Sequence, residues 1–158
     1  RARTATAGPK MDIQIANRQK RRRVPLKRLQ RTARILIDAL SRPDAELSVL
    51  LVDDRRIAAM NREFLDREGP TNVIAFPMQE GRFAELSPAL LGDVVISVDT
   101  AAAEAERAGI AFERRLVELL VHGVLHLCGY DHEHDRAQAR RMAAKSRALM
   151  RKIDALGI

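Results

Sequence analysis

Residues 112–128 read FERRLVELLVHGVLHLC, and this stretch decides where the centre of the fold lies. Apolar side chains fall on most sides of a helix drawn through it, whereas a surface helix is apolar along one stripe only. The stretch is therefore predicted to be a central helix, packed on several sides by the rest of the chain. Gly129 follows it and gives the chain the conformational freedom to leave the helix and turn back.

Shorter segments around this helix read as strands. Alternating or continuous apolar patterns predict strands at 11–18, 46–52, 71–77 and 91–97. A polar loop with Gly and Pro is expected from 78 to 88. With the helices below, the element order is β-α-β-α-β-β-α-α-α. This order predicts an α+β (mixed α/β) fold, a small, roughly four-stranded sheet packed with about five helices.

Capping residues and chain breakers predict the bounds of the other four helices. They are expected to run from Pro25, from Asp53 or Asp54 to about Leu65, from Asp99 or Thr100 to Gly109, and from about Asp135 to Leu156. The first is expected to bury a stripe of Leu26, Leu29, Ala33, Leu36 and Leu40. The last is expected to bury Met142, Leu149, Ile153 and Leu156, and to expose Arg136, Arg140, Arg147 and Arg151.

The length of 158 residues fits one domain, which is assigned to residues 11–158. Residues 1–10, RARTATAGPK, are small, polar and aperiodic, so a disordered lead-in is expected there. No apolar run approaches the about 20 residues of a membrane span, and no apolar segment of a secretory signal is present. With a single cysteine, Cys128, these features favour a cytoplasmic protein with no membrane partner.

The charge balance favours a polyanionic partner. Lys and Arg number 28 against 21 Asp and Glu, which gives a formal net charge of +7. Such a positive field attracts nucleic acid above all, and the first and last helices are the candidate sources of a basic surface. Only 3% of the residues are aromatic, which argues against RNA-binding modules built on exposed stacking rings.

All four histidines of the chain fall within HGVLHLCGYDHEH, residues 122–134. His122 and His126 are four apart, so a helix presents both imidazoles on one face. The turn at Gly129 brings His132 within reach of the same point. Two imidazoles buried without partners would each cost about 1–3 kcal/mol, and a shared metal ion removes that cost. The pattern predicts a metal site formed by His122, His126 and His132.

Three imidazole ligands leave one position of a tetrahedral Zn²⁺ site open, which is typical of catalytic sites. One Zn²⁺ per chain is expected, although such sites also accept other divalent first-row metals. A hydrolase is the activity that this arrangement favours. His134 is expected at the surface, and Cys128 is expected to pack. Asp131 is a candidate partner for the far side of a ligand imidazole, or else stabilises the turn.

Four motifs of the chain together resemble the YbeY family of bacterial rRNA maturation factors. They are HGVLHLCGYDH (122–132), LGDVVIS (91–97), PTNVIAFP (70–77) and MNREF (60–64). The resemblance implies a single-domain, metal-dependent endoribonuclease that acts on single-stranded RNA, without a preference for DNA. It further implies maturation of the 16S rRNA 3′ end, ribosome quality control, and the ribosome or its subunit as a partner. The family's three metal ligands fall on His122, His126 and His132.

One position departs from the family pattern. Leu65 stands where the family usually carries an arginine thought to contact substrate. Arg62 or Arg67 is the candidate for supplying that charge from a neighbouring position. Further motif positions are expected to serve mainly in capping, turns and strand-edge hydrogen bonds. They are Asn61, Thr71, Asn72 and Asp93.

Two other functions stay open at this point. In zinc peptidases of the H-E-x-x-H type, the residue after the first histidine is the glutamate that transfers the proton, and here it is Gly123. A peptidase would need a base from elsewhere in the chain. The other alternative is a ribosome-assembly factor without catalytic activity, in which the metal is structural. The sequence does not assign a general acid or base.

Overall fold

The computed structural model describes residues 11–78, 90–130 and 135–157. Its elements follow the predicted order, which confirms the α+β fold. They are β1 (Asp12–Asn17), α1 (Leu26–Ala39), β2 (Glu46–Val52), α2 (Asp54–Leu65), β3 (Val73–Pro77), β4 (Leu90–Ser97), α3 (Val98–Ala108), α4 (Phe112–Leu127) and α5 (Arg136–Ala155). The predicted lead-in at 1–10 and most of the predicted loop at 78–88 lie outside the described residues.

The four strands form one mixed sheet in the order β1-β2-β4-β3. β1, β2 and β4 are parallel, and β3 runs antiparallel to β4 at the sheet edge. In this register Val49 lies beside Val94, and Ile74 lies beside Val95. β3 therefore leaves one of its sides unpaired within the described sheet, next to the helix that carries the histidines.

Apolar residues cover both faces of the sheet, because alternate side chains of a strand point to opposite sides. The larger cluster joins strand residues such as Leu51 and Val94 to α1, α3, α4 and α5. The smaller cluster joins Val52, Ile74 and Val95 to α2. α4 contributes the most to the core, with nine buried residues, so its predicted central position is confirmed.

The α4 helix lies unusually close to the sheet at Gly123. A Cβ atom at this position would stand 2.6 Å from Val94 Cγ1 on β4 and 3.3 Å from Val73 Cγ2 on β3. Real Cβ atoms essentially never come within 3.0 Å of such a neighbour, so any larger residue would force Val94 or the helix to shift. Packing thus accounts for the glycine at the position where H-E-x-x-H peptidases carry their glutamate.

Most helix ends agree with the predictions, but the cap of α3 and the burial of Leu156 after α5 do not. Asp53 caps α2, where its side chain accepts a hydrogen bond from the Arg56 N–H at 2.9 Å. The cap of α3 is Ser97, not the predicted Asp99 or Thr100, and the Ser97 Oγ accepts the Thr100 N–H. Leu156 is 55% exposed rather than buried, because α5 ends at Ala155 and the chain then leaves the core.

The first helix also differs from its predicted stripe. It begins at Leu26, directly after Pro25, and Leu26 is 39% exposed. Thr32 and Ile37 join the buried face, because a helix packed between sheet and helices buries a wider arc than one stripe. The four arginines of α5 that were predicted to be exposed are exposed in the structure. Across the described ranges, no helix combines the length and apolar character needed to cross a bilayer.

Replacing Gly123 by alanine should destabilise the fold. Overpacking costs about 1–3 kcal/mol, while better helix propensity returns about 1 kcal/mol, so a net loss is expected in urea denaturation. The cost should shrink in a Val94→Ala background, because the clashing methyl groups are gone. A stabilised Gly123→Ala protein would contradict the close packing of α4.

Candidate functional site

His122 and His126 lie one turn apart on the same face of α4. Their Nε2 atoms are 3.1 Å apart, and their ring planes are inclined at 76° to each other. Both side chains are half-buried, at the boundary between the apolar interior and an open groove. The helical period therefore places the two ring nitrogens close enough to act on one ligand atom or ion.

The separation of the two nitrogens fits a zinc ion. Zn–N bonds of about 2.0–2.1 Å at tetrahedral angles place two ligand nitrogens about 3.3–3.4 Å apart. The observed 3.1 Å is within a few tenths of an ångström of that value. The same separation suits a hydrogen bond in which one neutral imidazole donates its N–H to the other. A metal ion would use the lone pairs of both rings.

The other residues predicted around the metal lie outside the described part of the chain. They are His132, Asp131 and His134, and their places at the site stay predictions. Within residues 11–78, 90–130 and 135–157, no three His, Cys, Asp or Glu side chains converge in a way that could hold a metal ion. His132 is the third ligand that the sequence predicts, and it lies outside these ranges.

His122 and His126 line a groove of about 810 Å³. Its walls come from the end of α2 and the loop after it, from β3, and from the last two turns of α4 with Tyr130. Thr71 and Asn72 contribute polar side chains beside the histidines. A volume of this size is ample for a small organic group, and the groove is open to solvent along its length.

One wall of the groove is shaped by the end of α2. The helix ends at Asp66, which adopts the left-handed conformation at φ 53°, and the Arg67 N–H then bonds the Asn61 carbonyl at 3.2 Å. The buried Asn61 side chain donates from Nδ2 to the Gly69 carbonyl at 3.0 Å. Asn61 thus ties the helix to the loop that follows, and the loop bounds the groove.

Residues 14–154 match the family model of Endoribonuclease YbeY. The chain belongs to the YbeY family. Endoribonuclease YbeY of Geobacter metallireducens and that of Geobacter sulfurreducens are each 50% identical to it over 149 residues, which cover 94% of this chain and 99% of the relative. The resemblance predicted from the four motifs is confirmed.

A solved structure supports the same assignment at the level of the fold. The solution structure of TM1509 from Thermotoga maritima superposes with a TM-score of 0.62 at 25% identity. The match covers 90% of this chain and 88% of that one. The arrangement of sheet and helices is therefore shared across much of the length of both proteins.

Leu65, which stands where the YbeY family usually carries an arginine, lies at the groove. Leu65 lines it and is 42% exposed. Arg67 also lines the groove, whereas Arg62 is exposed on α2 and is not part of the lining. Because the left-handed turn at Asp66 directs the chain back toward the site, Arg67 is the better placed of the two. Its contact with substrate stays a prediction.

Behind Asn72 lies a polar network that the sequence did not reveal. Asn72 Nδ2 donates to both carboxylate oxygens of Glu104, at 3.2 and 3.3 Å. Arg115 donates to Glu104 Oε1 from Nε and Nη2, and to Glu118 from Nη1 at 3.2 Å. These residues come from three separate segments, so no local pattern brings them together. The network holds the Asn72 amide at the groove wall.

Cys128 packs beside the site without lining the groove. It is half-buried against the main core cluster, in agreement with its predicted packing role. Burial raises the pKa of its thiol, and the positive charge of Arg42 acts in the opposite direction. The thiol is therefore more strongly held in its neutral form than an exposed cysteine, which disfavours a role as nucleophile.

Glu104→Ala should cost about 1–2 kcal/mol of unfolding free energy, because the partly buried Asn72 amide loses its acceptor and the Arg115 guanidinium keeps only Glu118. Urea denaturation measures the loss. Glu106→Ala is the matched control, since Glu106 is exposed on the same helix, and its effect should stay within about 0.5 kcal/mol. Equal losses in the two variants would show that the network contributes no stability.

Proposed function

We propose that this protein is a zinc-dependent endoribonuclease that hydrolyses phosphodiester bonds in single-stranded RNA. The cellular roles proposed are maturation of the 16S rRNA 3′ end and ribosome quality control. Membership of the YbeY family supports the ribonuclease activity and its rRNA substrate. The observation that carries the metal dependence is the convergence of two imidazole nitrogens, 3.1 Å apart, in an open groove.

His122, His126 and the predicted third ligand His132 would hold one Zn²⁺ per chain. Imidazole nitrogens suit zinc and several other divalent first-row ions. When bound, the ion supplies a Lewis acid that polarises a phosphoryl oxygen and activates water. Gly123 also lines the groove, where it packs against Val94 and Val73 and adds no side chain beside the two imidazoles.

Polar groups of the groove would position the RNA. The Arg67 guanidinium matches the geometry of a phosphate and would neutralise part of its charge. Asn61 and Asn72 keep their walls in place through the bonds described above. Two attacking groups fit this arrangement, water and the RNA 2′-hydroxyl, and the chemistry of the product ends distinguishes them.

The proposed partner beyond free RNA is the ribosome or its small subunit, which places the activity in the cytoplasm. A peptidase is less well supported, because Gly123 has no side chain to transfer a proton. A ribosome-assembly factor with a structural metal would share the fold and the histidines. Such a factor would bind ribosomal RNA tightly and would not cleave it.

Purified protein should contain about one equivalent of zinc per chain, as measured by elemental analysis. His122→Ala and His126→Ala should lose most of it, because two remaining imidazoles bind zinc weakly. His134→Ala is the matched control, since the sequence predicts His134 to lie outside the ligand set. Undiminished zinc in His126→Ala would place the metal elsewhere.

The protein should cut a single-stranded rRNA fragment and leave an unstructured protein intact when both are offered side by side. His126→Ala should reduce RNA cleavage at least about 100-fold, since even the outer partners of metal ligands contribute about 10- to 100-fold. Full activity in that variant would indicate a contaminating nuclease. Cleavage of the protein alone would favour the peptidase, and tight RNA binding without turnover would favour the assembly factor.

A further inference from the structure

We propose that residues 18–34, called here the basic segment, form a docking surface for the RNA backbone outside the catalytic groove. The inference rests on the proposed function and names where flanking RNA binds. The basic segment comprises the loop after β1 and the first half of α1.

The positive charge of this protein is concentrated in the basic segment. It contains nine Lys and Arg residues and no Asp or Glu, namely Arg18, Lys20, Arg21, Arg22, Arg23, Lys27, Arg28, Arg31 and Arg34. The chain carries a formal net charge of +7, so all other residues together sum to −2. An anion approaching the protein therefore meets its strongest local attraction here.

Few carboxylates neutralise these cations. Arg21 pairs with Asp99 at 3.3 Å, and Arg28 pairs with Glu113 at 2.8 Å. Across the described ranges, the other seven form no ion pair, and all seven are exposed. Counterions that gather at such a surface, and at the RNA, are released when phosphates replace them, which favours binding.

The loop part of the basic segment is held in a fixed shape. Gln19, only 8% exposed, accepts the N–H groups of Arg21 and Arg22 at 2.9 Å through Oε1. Its Nε2 donates to the Arg22 carbonyl and to Asn17 Oδ1, both at 2.8 Å. The Arg22 guanidinium lies 5.7 Å from the Phe112 ring centroid. A loop ordered in advance loses less entropy when it binds a ligand.

The helical part presents its cations in a row. Lys27, Arg31 and Arg34 follow a spacing of four and three residues, which places them on one face of α1 over about 10 Å. All three are exposed, while the opposite face buries Leu29 and Leu36 in the core. The row is therefore available to successive phosphates of one strand.

The basic segment lies apart from the groove. None of its residues lines the groove. Its contact with Phe112 is at the first residue of α4, about 15 Å along the helix from His122. A surface at this distance contacts RNA that extends beyond the cut site, and it does not act on the scissile phosphate.

α5 is the rival surface, because it also exposes arginines. It carries seven cations and one anion over 20 residues, a net +6, against +9 over 17 residues in the basic segment. Its only anion, Asp154, pairs with Arg114 at 2.9 Å. The higher density of positive charge and the loop ordered by Gln19 favour the basic segment over α5. The arginines of α5 supply a matched control.

The test compares two triple variants that remove the same charge. One is Lys27→Gln, Arg31→Gln and Arg34→Gln, and the control is Arg140→Gln, Arg147→Gln and Arg151→Gln. Fluorescence anisotropy with labelled oligouridylate longer than the groove measures the Kd as salt is raised. The α1 variant should bind about 10- to 50-fold more weakly, and its slope of log affinity against log salt should fall by about 2.

The control variant should stay within about 3-fold of the wild type. Equal losses of RNA affinity in the two variants would indicate a general electrostatic attraction by the whole protein instead of a docking surface. A larger loss of affinity in the α5 variant would place the surface on α5. Either result overturns the inference. Unchanged urea midpoints confirm that both variants are folded.

Cleavage of short and long RNA separates this inference from the proposed function. The α1 variant should cut an RNA that fits within the groove at the wild-type rate, and should lose about 10-fold in kcat/KM on long RNA. If the wild type cuts neither RNA, the proposed function fails, and the anisotropy comparison still decides the docking surface. If the wild type cuts both and the variant matches it on both, the docking surface fails.

Discussion

The close approach of α4 to the sheet at Gly123 is the contact on which the rest of this structure depends. With no side chain between helix and strands, α4 packs directly against Val94 of β4 and Val73 of β3. That contact places the last two turns of the helix beside an edge strand. His122 and His126 therefore face a groove instead of a closed core. The same packing leaves no space at this position for the glutamate that transfers the proton in zinc peptidases of the H-E-x-x-H type.

Around the histidine pair, hydrogen bonds add to the apolar packing that shapes the groove. Asn61 ties α2 to the loop after it, and Glu104 holds the Asn72 amide from behind. Both anchors are partly or fully buried, so each donor or acceptor is costly to leave unpaired. Anchored walls of this kind suit a site that holds its ligand in one orientation.

The positive charge of the protein is concentrated in the basic segment and not in the groove that contains the histidines. Apart from the histidines, the charged residues that line the groove in the described part of the chain are Arg67 and Glu68, one of each sign, so the lining is close to neutral. The basic segment at 18–34 carries nine positive charges at some distance from the histidines. We expect long-range Coulomb attraction to act through the basic segment, and short contacts at the groove to position the bond that is cut. In the proposed layout, RNA that extends beyond the groove gains affinity from the basic segment, whereas cleavage of an RNA that fits within the groove does not need it.

Local patterns in the sequence determined the order of the elements, the central position of α4 and the spacing of His122 and His126. Each of these depends on residues a few positions apart, where backbone geometry sets the distances. The charge of the basic segment was also readable from the chain. The cap at Ser97 and the exposure of Leu156 were not, because both depend on where an element ends against its neighbours. The groove wall and the link from Asn72 to Glu104 likewise join residues distant in sequence, and only the packing of the sheet against the helices decided that they meet.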